Sequence, residues 1–477
     1  MSPFHPGRPA SGPARRLLAR PTGWRLRLVV FLIGGPGLGG FTAPCSAVDC
    51  SRPNIVLIVA DDLGIGDVGC FGASDVQTPA IDRIARQGLR FTAFYANSSV
   101  CSPTRASLLS GCYPERVGVP GVIRTHPEDS WGWLSPDAVL LPSVLKQADY
   151  ESAMIGKWHL GLDSSQSPSR RGFDHVHGFL GDMMDDYYTH LRHGRNYMRE
   201  NGRMIEPAGH ATDLFAEWAC AWLDGRTSQD QPFFLYLAFN APHTPIQPPE
   251  LWQDRIQARE PGMTPRRAAL VALIEHMDQG IGRVLETLDR NGQANNTLVV
   301  FVSDNGGQLN VGANNGPWRD GKQSMYEGGL RVPACARWPG VIPAGRRSEQ
   351  PCLTMDWFPT LCAVAGVSPS GPVDGVNLQP ILEDPGRSLA PRDLFFHRRE
   401  GNRRFGGLTI QAMRRGDWKL LQNSPYQPLE LYHLGEDPGE QRDLAGSRPP
   451  QLEAMSAALR KHIQRGGAVP WQPPDHR

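Results

Sequence analysis

The chain has 477 residues with 49 basic and 48 acidic side chains, and hydrophobic residues make up 40% of it. This hydrophobic fraction excludes a mainly disordered chain, and a net charge of +1 argues against a nucleic-acid-binding protein with a broad basic surface. Nine cysteines are too few for a disulfide scaffold of this length. The length favours one large domain with a smaller companion.

The first 50 residues differ in charge from the rest of the chain. They carry six Arg and a single acid, Asp49, and contain a short apolar run at residues 28–33 followed by small residues. This pattern predicts an export signal over residues 1–50 and a periplasmic or secreted protein, although a leader with chance apolarity stays an alternative. The run is too short and too glycine-rich for a stable membrane span.

Four apolar runs in the next part of the chain predict central strands, at residues 55–60, 154–155, 233–239 and 298–302. They lack polar alternation, which is typical of strands covered on both faces. Helical patterns lie between them, at 78–87 and 266–288. The expected fold is therefore an α/β domain over residues 51–384, with a mostly parallel central sheet flanked by helices.

The pattern changes near residue 385. Short strand-like pieces at 394–397, 408–413, 418–421 and 429–432 are followed by an amphipathic helix at 451–463 and a proline-rich tail. We predict a small C-terminal α+β domain over residues 385–477, with an antiparallel sheet.

Polar side chains follow each of the four central strands, where an α/β sheet binds its ligands. Asp61, Asp62, Asp304 and Asn305 supply hard oxygen ligands, so a converged set would suit Ca²⁺ or Mg²⁺. Asp-Asp and Asp-Asn-Gly are also ordinary turn sequences, which is the alternative interpretation of each pair.

Cys101 begins the segment Cys101-Ser-Pro103-Thr-Arg105, and the residues after it have a helical pattern. A reactive group or an anion at a helix N-terminus benefits from the helix dipole and from unpaired N–H groups. Cys112 lies close enough in sequence that a disulfide is an equal alternative for an exported protein.

The segment Cys101-x-Pro103-x-Arg105 resembles the activation signature of the type I sulfatases. The second signature of that family is matched at residues 150–159, and other family elements are matched at 240–245, 321–322, 328–333 and 431–438. The resemblance runs from Pro53 to about Leu444 and is strongest to the branch of arylsulfatase A and N-acetylgalactosamine-6-sulfatase. Two residues depart from the family pattern: Asp149 stands where Gly is usual, and Ser110 stands where Thr is usual. Neither position supplies a group that takes part in the chemistry.

The resemblance implies an alkaline-phosphatase-like fold and a sulfuric ester hydrolase acting on sulfated carbohydrate. It implies that a maturation enzyme oxidises Cys101 to formylglycine, which attacks sulfur as the nucleophile. One Ca²⁺ would be held by Asp61, Asp62, the modified Cys101, Asp304 and Asn305. Arg105 would steady the formylglycine, His243 or Lys322 would give a proton to the leaving alcohol, and His159 would act as base. Lys157, His159, His243 and Lys322 would surround the sulfate group.

The lysines support these roles independently. Only 5 of the 49 basic residues are Lys, and two of these, Lys157 and Lys322, lie in the family elements. Lys can give up a proton where Arg cannot, so Lys suits a proton donor beside an anion. The remaining three, Lys146, Lys419 and Lys461, are predicted to be exposed.

Several other residues have weaker predictions. His175 and His177, and the segment Asp185-Asp186-Tyr187, could shape the substrate pocket, but packing or turn roles fit them equally well. Glu327 is interpreted as structural. The loops within 112–140 and 172–230 are expected to line the pocket.

Two other functions remain open from the sequence. One is a phosphomonoesterase or phosphodiesterase of the same superfamily, which usually has a Ser or Thr nucleophile and more than one metal. The other is an inactive carbohydrate-binding relative in which Cys101 is never oxidised.

Overall fold

The computed structural model describes residues 52–227, 231–400 and 409–472. The predicted export signal, residues 1–50, lies outside the described residues. Within these described ranges, no helix is both long and apolar enough to cross a membrane.

The helices and strands alternate through the first three quarters of the chain. The helices are α1 (Pro79–Arg86), α2 (Cys101–Ser110), α3 (Leu141–Leu145), α4 (Ala211–Asp224), α5 (Glu250–Arg259), α6 (Pro265–Arg290), α7 (Glu327–Leu330), α8 (Trp357–Val364), α9 (Gln379–Glu383) and α10 (Pro449–Arg465). The strands are β1 (Asn54–Ala60), β2 (Leu89–Phe91), β3 (Phe94–Tyr95), β4 (Glu151–Lys157), β5 (His175–Phe179), β6 (Leu191–Arg192), β7 (Arg195–Asn196), β8 (Met198–Glu200), β9 (Arg203–Met204), β10 (Phe233–Ala238), β11 (Thr297–Ser303), β12 (Ala334–Arg337), β13 (Arg346–Ser348), β14 (Cys352–Leu353), β15 (Asp393–Arg399), β16 (Thr409–Arg415), β17 (Trp418–Gln422) and β18 (Glu430–His433).

The central sheet has ten strands in the order β13-β2-β12-β11-β1-β10-β4-β5-β8-β9. The run β11-β1-β10-β4-β5 is parallel, and β12 is antiparallel to β11. The four predicted apolar runs are β1, β4, β10 and β11, which lie side by side at the centre. The prediction of a mostly parallel sheet is confirmed.

Helices cover both faces of this sheet. Alternate residues of β1 belong to two different apolar clusters, because successive side chains of a strand point to opposite faces. Ile55, Leu57 and Val59 pack with residues of α2, α3 and α8, whereas Val56, Ile58 and Ala60 pack with α1, α4 and α6. Burial on both faces explains why these strands read as continuous apolar runs.

The C-terminal part forms a four-stranded antiparallel sheet, β15-β16-β17-β18. One face packs against α10 through Met413, Leu420 and Met455. The other face shares an apolar cluster with the larger part of the chain, including contacts between Phe396 and Tyr95. The predicted antiparallel sheet and terminal helix are confirmed, and the domain boundary near residue 385 stays a prediction.

Lys419 is buried, so the prediction that it is exposed is wrong. Its side chain lies 2.9 Å from Glu327 Oε1 and 2.8 Å from Glu440 Oε1. Both partners are distant in sequence, and they compensate the burial of a charge that a strand pattern alone would place in solvent. Lys146 and Lys461 are exposed, as predicted.

Candidate active site

The carboxyl ends of the four central strands bring the predicted polar groups together. Ala60 of β1 pairs in register with Ser303 of β11, so the residues that follow them, Asp61 and Asp304, lie side by side at the edge of the sheet. On the other side, β10 lies between β1 and β4 and leads into the segment that carries His243. Parallel strands that end at the same edge therefore place all four sets of side chains at one site.

Lys157 is the last residue of β4, and the preceding glycine is required for its position. Gly156 has φ +103°, and a Cβ at this position would lie 1.9 Å from the carbonyl oxygen of Ala238 on β10. Only glycine permits this close approach of the two strands. Lys157 is fully buried at the point where β4 ends, and its ammonium group pairs with Asp61.

Cys101 is the first residue of α2, which is buried along its whole length. Its Sγ lies 3.2 Å from Asp61 Oδ1 and 3.8 Å from Asp62 Oδ1. Burial, and the negative charges of Asp304 and Asp61, raise the pKa of this thiol well above its usual value. The encoded side chain is therefore a neutral thiol that faces carboxylates.

Cys101 and Cys112 are both free thiols, so the disulfide alternative is not formed. The two residues lie at opposite ends of α2. A helix of ten residues is about 15 Å long, which is too far for a disulfide to span.

The four predicted oxygen ligands are all buried and adjacent. Asp304 Oδ1 accepts from the backbone N–H of Asp62 at 3.2 Å, and Asn305 Nδ2 donates to Asp62 Oδ1 at 2.8 Å. Asn305 Oδ1 is buried and has no hydrogen-bond partner in the part of the chain that the structure describes. An orphaned amide oxygen beside three carboxylates is the donor chemistry of a hard divalent cation. The residues present therefore fit Ca²⁺.

His243 and Cys101 also contribute donor atoms near these carboxylates. One donor atom from each of Asp61, Asp62, Cys101 and His243 lies within 4.8 Å of the others. His243 Nε2 is 3.6 Å from Asp62 Oδ2. Asp304 instead turns one oxygen toward Arg105, so its carboxylate is shared between this cation and the ligand cluster.

Three buried cations balance the three carboxylates. Arg105 Nε and Nη2 both lie 2.8 Å from Asp304 Oδ2, and Lys322 Nζ donates to Asp62 Oδ2 at 2.6 Å. Burial alone would raise the pKa of Asp61, but the positive charges of Lys157, Arg105 and Lys322 hold it well below its usual range. Burial and the charge of Asp61 raise the pKa of Asp304 to about 7.

The two predicted catalytic histidines are neutral and have defined tautomers. His159 Nε2 lies 2.8 Å from the carbonyl oxygen of Ile123, and its buried Nδ1 has no hydrogen-bond partner within the described ranges. His243 Nδ1 lies 2.7 Å from the carbonyl oxygen of Thr244. Since carbonyls only accept, each of these nitrogens carries the proton, which leaves His159 Nδ1 and His243 Nε2 as acceptors. Burial and neighbouring cations lower the pKa of both rings.

A pocket of about 260 Å³ opens above Cys101, His159, His243 and Lys322. Its outer lining combines five cationic or imidazole side chains with two acids, namely Arg124, His126, Arg192, His193 and Arg398 with Asp129 and Asp182. Most of these come from the two predicted loops, 112–140 and 172–230. Arg398 comes from β15, so the C-terminal sheet also reaches the pocket.

The structure shows where the residues with weaker predictions lie. His175 and His177 lie outside the pocket lining, and the His177 ring stacks on Trp218 with ring centroids 3.4 Å apart, so packing is their role. Tyr187 also lies outside the pocket lining and is buried. Its buried hydroxyl lies 2.9 Å from the carbonyl oxygen of Asn240 and 2.8 Å from that of His243, which fixes the His243 turn.

Comparison with known proteins identifies the family. A family model described as Sulfatase matches residues 53–367, and one described as N-sulphoglucosamine sulphohydrolase, C-terminal, matches residues 316–467. The chain belongs to the sulfatase family. It is therefore a sulfuric ester hydrolase with an alkaline-phosphatase-like fold, as the resemblance predicted.

The similarity of this sulfatase to its relatives extends over nearly the whole chain. It is 31% identical to N-acetylgalactosamine-6-sulfatase of Canis lupus familiaris, over 96% of this chain and 92% of the relative. It is 33% identical to arylsulfatase A of Homo sapiens, over 88% of this chain and 90% of the relative. Among solved structures, that of Ps i-CgsB in complex with k-i-k-neocarrahexaose has a TM-score of 0.77 and 32% identity, covering 88% of this chain and 93% of that one.

Proposed function

We propose that this sulfatase hydrolyses sulfate monoesters on a sulfated carbohydrate, through a formylglycine formed from Cys101 and a Ca²⁺ ion. The observation that carries the proposal is the position of Cys101. Cys101 is the first residue of a buried helix, and its side chain lies beside Asp61 and Asp62. It lines the same pocket as His243 and Lys322.

Support for a carbohydrate substrate comes from the pocket and from the relatives. The pocket volume of about 260 Å³ is at the small end for ligand sites, which suits one sulfated sugar unit. Its polar, largely cationic lining suits hydroxyl groups and anions. One structural relative is a complex with a neocarrahexaose, and the name of another relative specifies a sulfated amino sugar.

Asp61, Asp62, Asp304 and Asn305 would hold the calcium ion together with the modified Cys101. When bound, Ca²⁺ would polarise the sulfate group, and formylglycine would supply a nucleophile that no encoded side chain offers. Arg105 and Lys157 lie fully buried beside the ligand carboxylates. They add fixed positive charge where negative charge accumulates on the sulfuryl oxygens.

The tautomers support a division of the proton transfers. His159 lines the pocket, and its buried Nδ1 is unprotonated and has no partner among the described residues, so it can accept a proton as the base. His243 already donates from Nδ1 to Thr244, and its Nε2 carries a proton only in the charged ring. Lys322 Nζ lines the pocket as an ammonium group with several protons. We therefore assign the proton donor for the leaving alcohol to Lys322, and His243 would bind a sulfate oxygen through Nε2–H in its charged form.

Two further proposals concern the export and the maturation of the protein. The arginine-rich, apolar pattern of residues 1–50 supports export to the periplasm or outside the cell. The intact Cys101-x-Pro103-x-Arg105 segment supports recognition by a formylglycine-generating enzyme. Oxidation requires access to the chain, and Cys101 is buried after folding, so we propose that maturation precedes folding.

Mass spectrometry of the tryptic peptide from Phe91 to Arg105 tests the proposal. We expect an aldehyde at position 101 in protein from a host with the maturation activity. Cys101→Ala should abolish hydrolysis of an aryl sulfate while leaving the fold intact, and Cys112→Ala should retain activity as the matched control. Full activity in protein that contains only the Cys101 thiol would refute the mechanism.

The same material separates the two alternatives. Hydrolysis of phosphate esters in preference to sulfate esters would identify a phosphatase. A protein that keeps its thiol in its native cell and binds sulfated sugars without turnover would be the unmatured carbohydrate-binding relative. A survey of sulfated mono- and disaccharides then identifies the sugar and the sulfate position.

A further inference from the structure

A second group of potential metal ligands lies outside the active site. Glu115, in the 3-10 turn Pro114–Val117, meets His397 of β15 and His462 of α10. His462 Nε2 is 2.7 Å and His397 Nδ1 is 3.4 Å from Glu115 Oε1. Three distant segments of the chain therefore place one carboxylate and two imidazoles at one buried point.

These side chains lack the hydrogen bonds that would explain their burial. Glu115 is 2% exposed and His397 is 1% exposed. Among the described residues, neither carboxylate oxygen of Glu115, neither ring nitrogen of His397, nor Nε2 of His462 has a hydrogen-bond partner of acceptable geometry. The contact between Glu115 and His462 is short but misaligned. Buried polar atoms without partners are costly, so their convergence indicates a missing ligand.

Packing, and not hydrogen bonding, fixes the orientation of the histidine rings. The His462 ring stacks on Phe395 at 4.0 Å with an interplanar angle of 5°, and its edge meets Tyr113. The His397 and His462 rings are nearly parallel, at 15°. Rings held in this way are preorganised to present their nitrogens toward Glu115.

We infer that Glu115, His397 and His462 form a structural site for a divalent cation of the Zn²⁺ type, which attaches the last helix to the catalytic part of the chain. Two imidazoles and one carboxylate are ligands that zinc accepts, whereas Ca²⁺ and Mg²⁺ prefer oxygen alone. Atoms that share a tetrahedral zinc lie about 3.3 Å apart, given bond lengths of about 2.0–2.1 Å. The distances of 2.7 and 3.4 Å around Glu115 Oε1 bracket this value.

A second His–carboxylate–His cluster provides a matched control. His210, Asp213 and His276 also lie close together, but of their four ring nitrogens only His276 Nδ1 has no partner among the described residues. His210 Nδ1 accepts from the N–H of Thr212 and Nε2 lies 3.0 Å from the carbonyl oxygen of Gln247, while His276 Nε2 lies 2.9 Å from Asp213. These partners make it a hydrogen-bonded network with little need of a metal.

Zinc content and thermal stability test the inference in the full-length purified protein. The protein is incubated with zinc chloride in excess Ca²⁺, exchanged into metal-free buffer, and analysed by elemental mass spectrometry. Wild type should retain about one zinc ion per chain more than His462→Ala, and His276→Ala should match wild type. A zinc-selective chelator in excess Ca²⁺ should lower Tm of wild type by several degrees and leave that of His462→Ala unchanged.

Equal zinc content in wild type and His462→Ala would overturn the inference, as would a wild type that retains no zinc. The three side chains would then be an ion-pair cluster only. If His462→Ala does not fold, the isosteric Glu115→Gln replaces it, and the chelator experiment on wild type decides independently. An unchanged Tm in that experiment counts against the site.

Discussion

Replacement of Lys419 by Met removes one cation from a buried cluster while keeping a side chain of similar length. Lys419 is fully buried on β17, between Glu327 at 2.9 Å and Glu440 at 2.8 Å. Both carboxylates are also buried, and Tyr95 donates its hydroxyl proton to Glu327 at 2.7 Å. The substitution therefore leaves two buried acids without the cation between them.

The cost follows from the partners that remain. Removal of one member of a buried ion pair costs about 3–5 kcal/mol, because the other charge is left uncompensated. Glu327 keeps Tyr95 and a contact with Arg331 at 3.4 Å. Burial, opposed by Lys419, raises the pKa of Glu440 to about 7, so this group can take up a proton when the lysine is absent. Both effects limit the loss of stability, and we expect Lys419→Met to lower the free energy of unfolding by about 3 kcal/mol.

Urea unfolding, with Lys146→Met as the control, measures this difference. The side chain of Lys146 is 64% exposed and pairs with Asp174 at 2.6 Å. An exposed pair contributes about 0–1 kcal/mol, so the control should unfold near the wild-type midpoint. A Lys419→Met protein within about 1 kcal/mol of Lys146→Met would refute the view that the buried cluster is held by its lysine.

Three further substitutions test the site and the electrostatics. Lys322→Arg should keep KM for an aryl sulfate but lower kcat by about 100-fold or more, because Arg cannot release a proton; a wild-type kcat would exclude Lys322 as donor. The folded pKa of Glu440 is above its unfolded value of 4.5, so wild-type stability should fall as pH rises from about 4.5 to about 7. Glu440→Gln should lose that part of the pH dependence in urea unfolding, and an identical pH profile would contradict the assignment. Tyr187→Phe removes the hydroxyl beside the His243 carbonyl, while the Asn240 carbonyl still accepts from the His243 N–H, and the change should cost about 1–3 kcal/mol and lower kcat/KM through His243. The exposed neighbour Tyr188→Phe should affect neither, and equal effects of the two would exclude the positioning role.

The central sheet and the core of the site can be predicted from the sequence because both depend on local patterns. Strands buried on both faces must be continuously apolar, and the first polar residues after them must lie at the carboxyl edge. This places Asp61, Lys157 and Asp304 together without any knowledge of the tertiary structure. The signature around Cys101 adds the chemistry.

The outer pocket cannot be predicted in the same way. Arg192 and Arg398 lie in arginine-rich segments where nothing in the local pattern distinguishes a pocket residue from a surface residue. The prediction that Lys419 is exposed is wrong for the same reason. Its partners lie on other segments, and only the folded chain brings them to β17. Local patterns determine which side chains lie at the carboxyl edge of the sheet, whereas the loops determine which residues surround them.

The buried Lys419 cluster connects the C-terminal sheet to the catalytic machinery. Glu327 begins α7, five residues after Lys322. The intervening segment is fixed at both ends, because the Lys322 N–H donates to the carbonyl oxygen of Gly307 at 3.1 Å and the Gly328 N–H donates to that of Arg319 at 2.9 Å. An ion pair that holds Glu327 to β17 therefore also restricts the position of the Lys322 ammonium group. Lys is suited to this role, because a compact charge fits between two carboxylates where the broad, planar guanidinium of Arg would not.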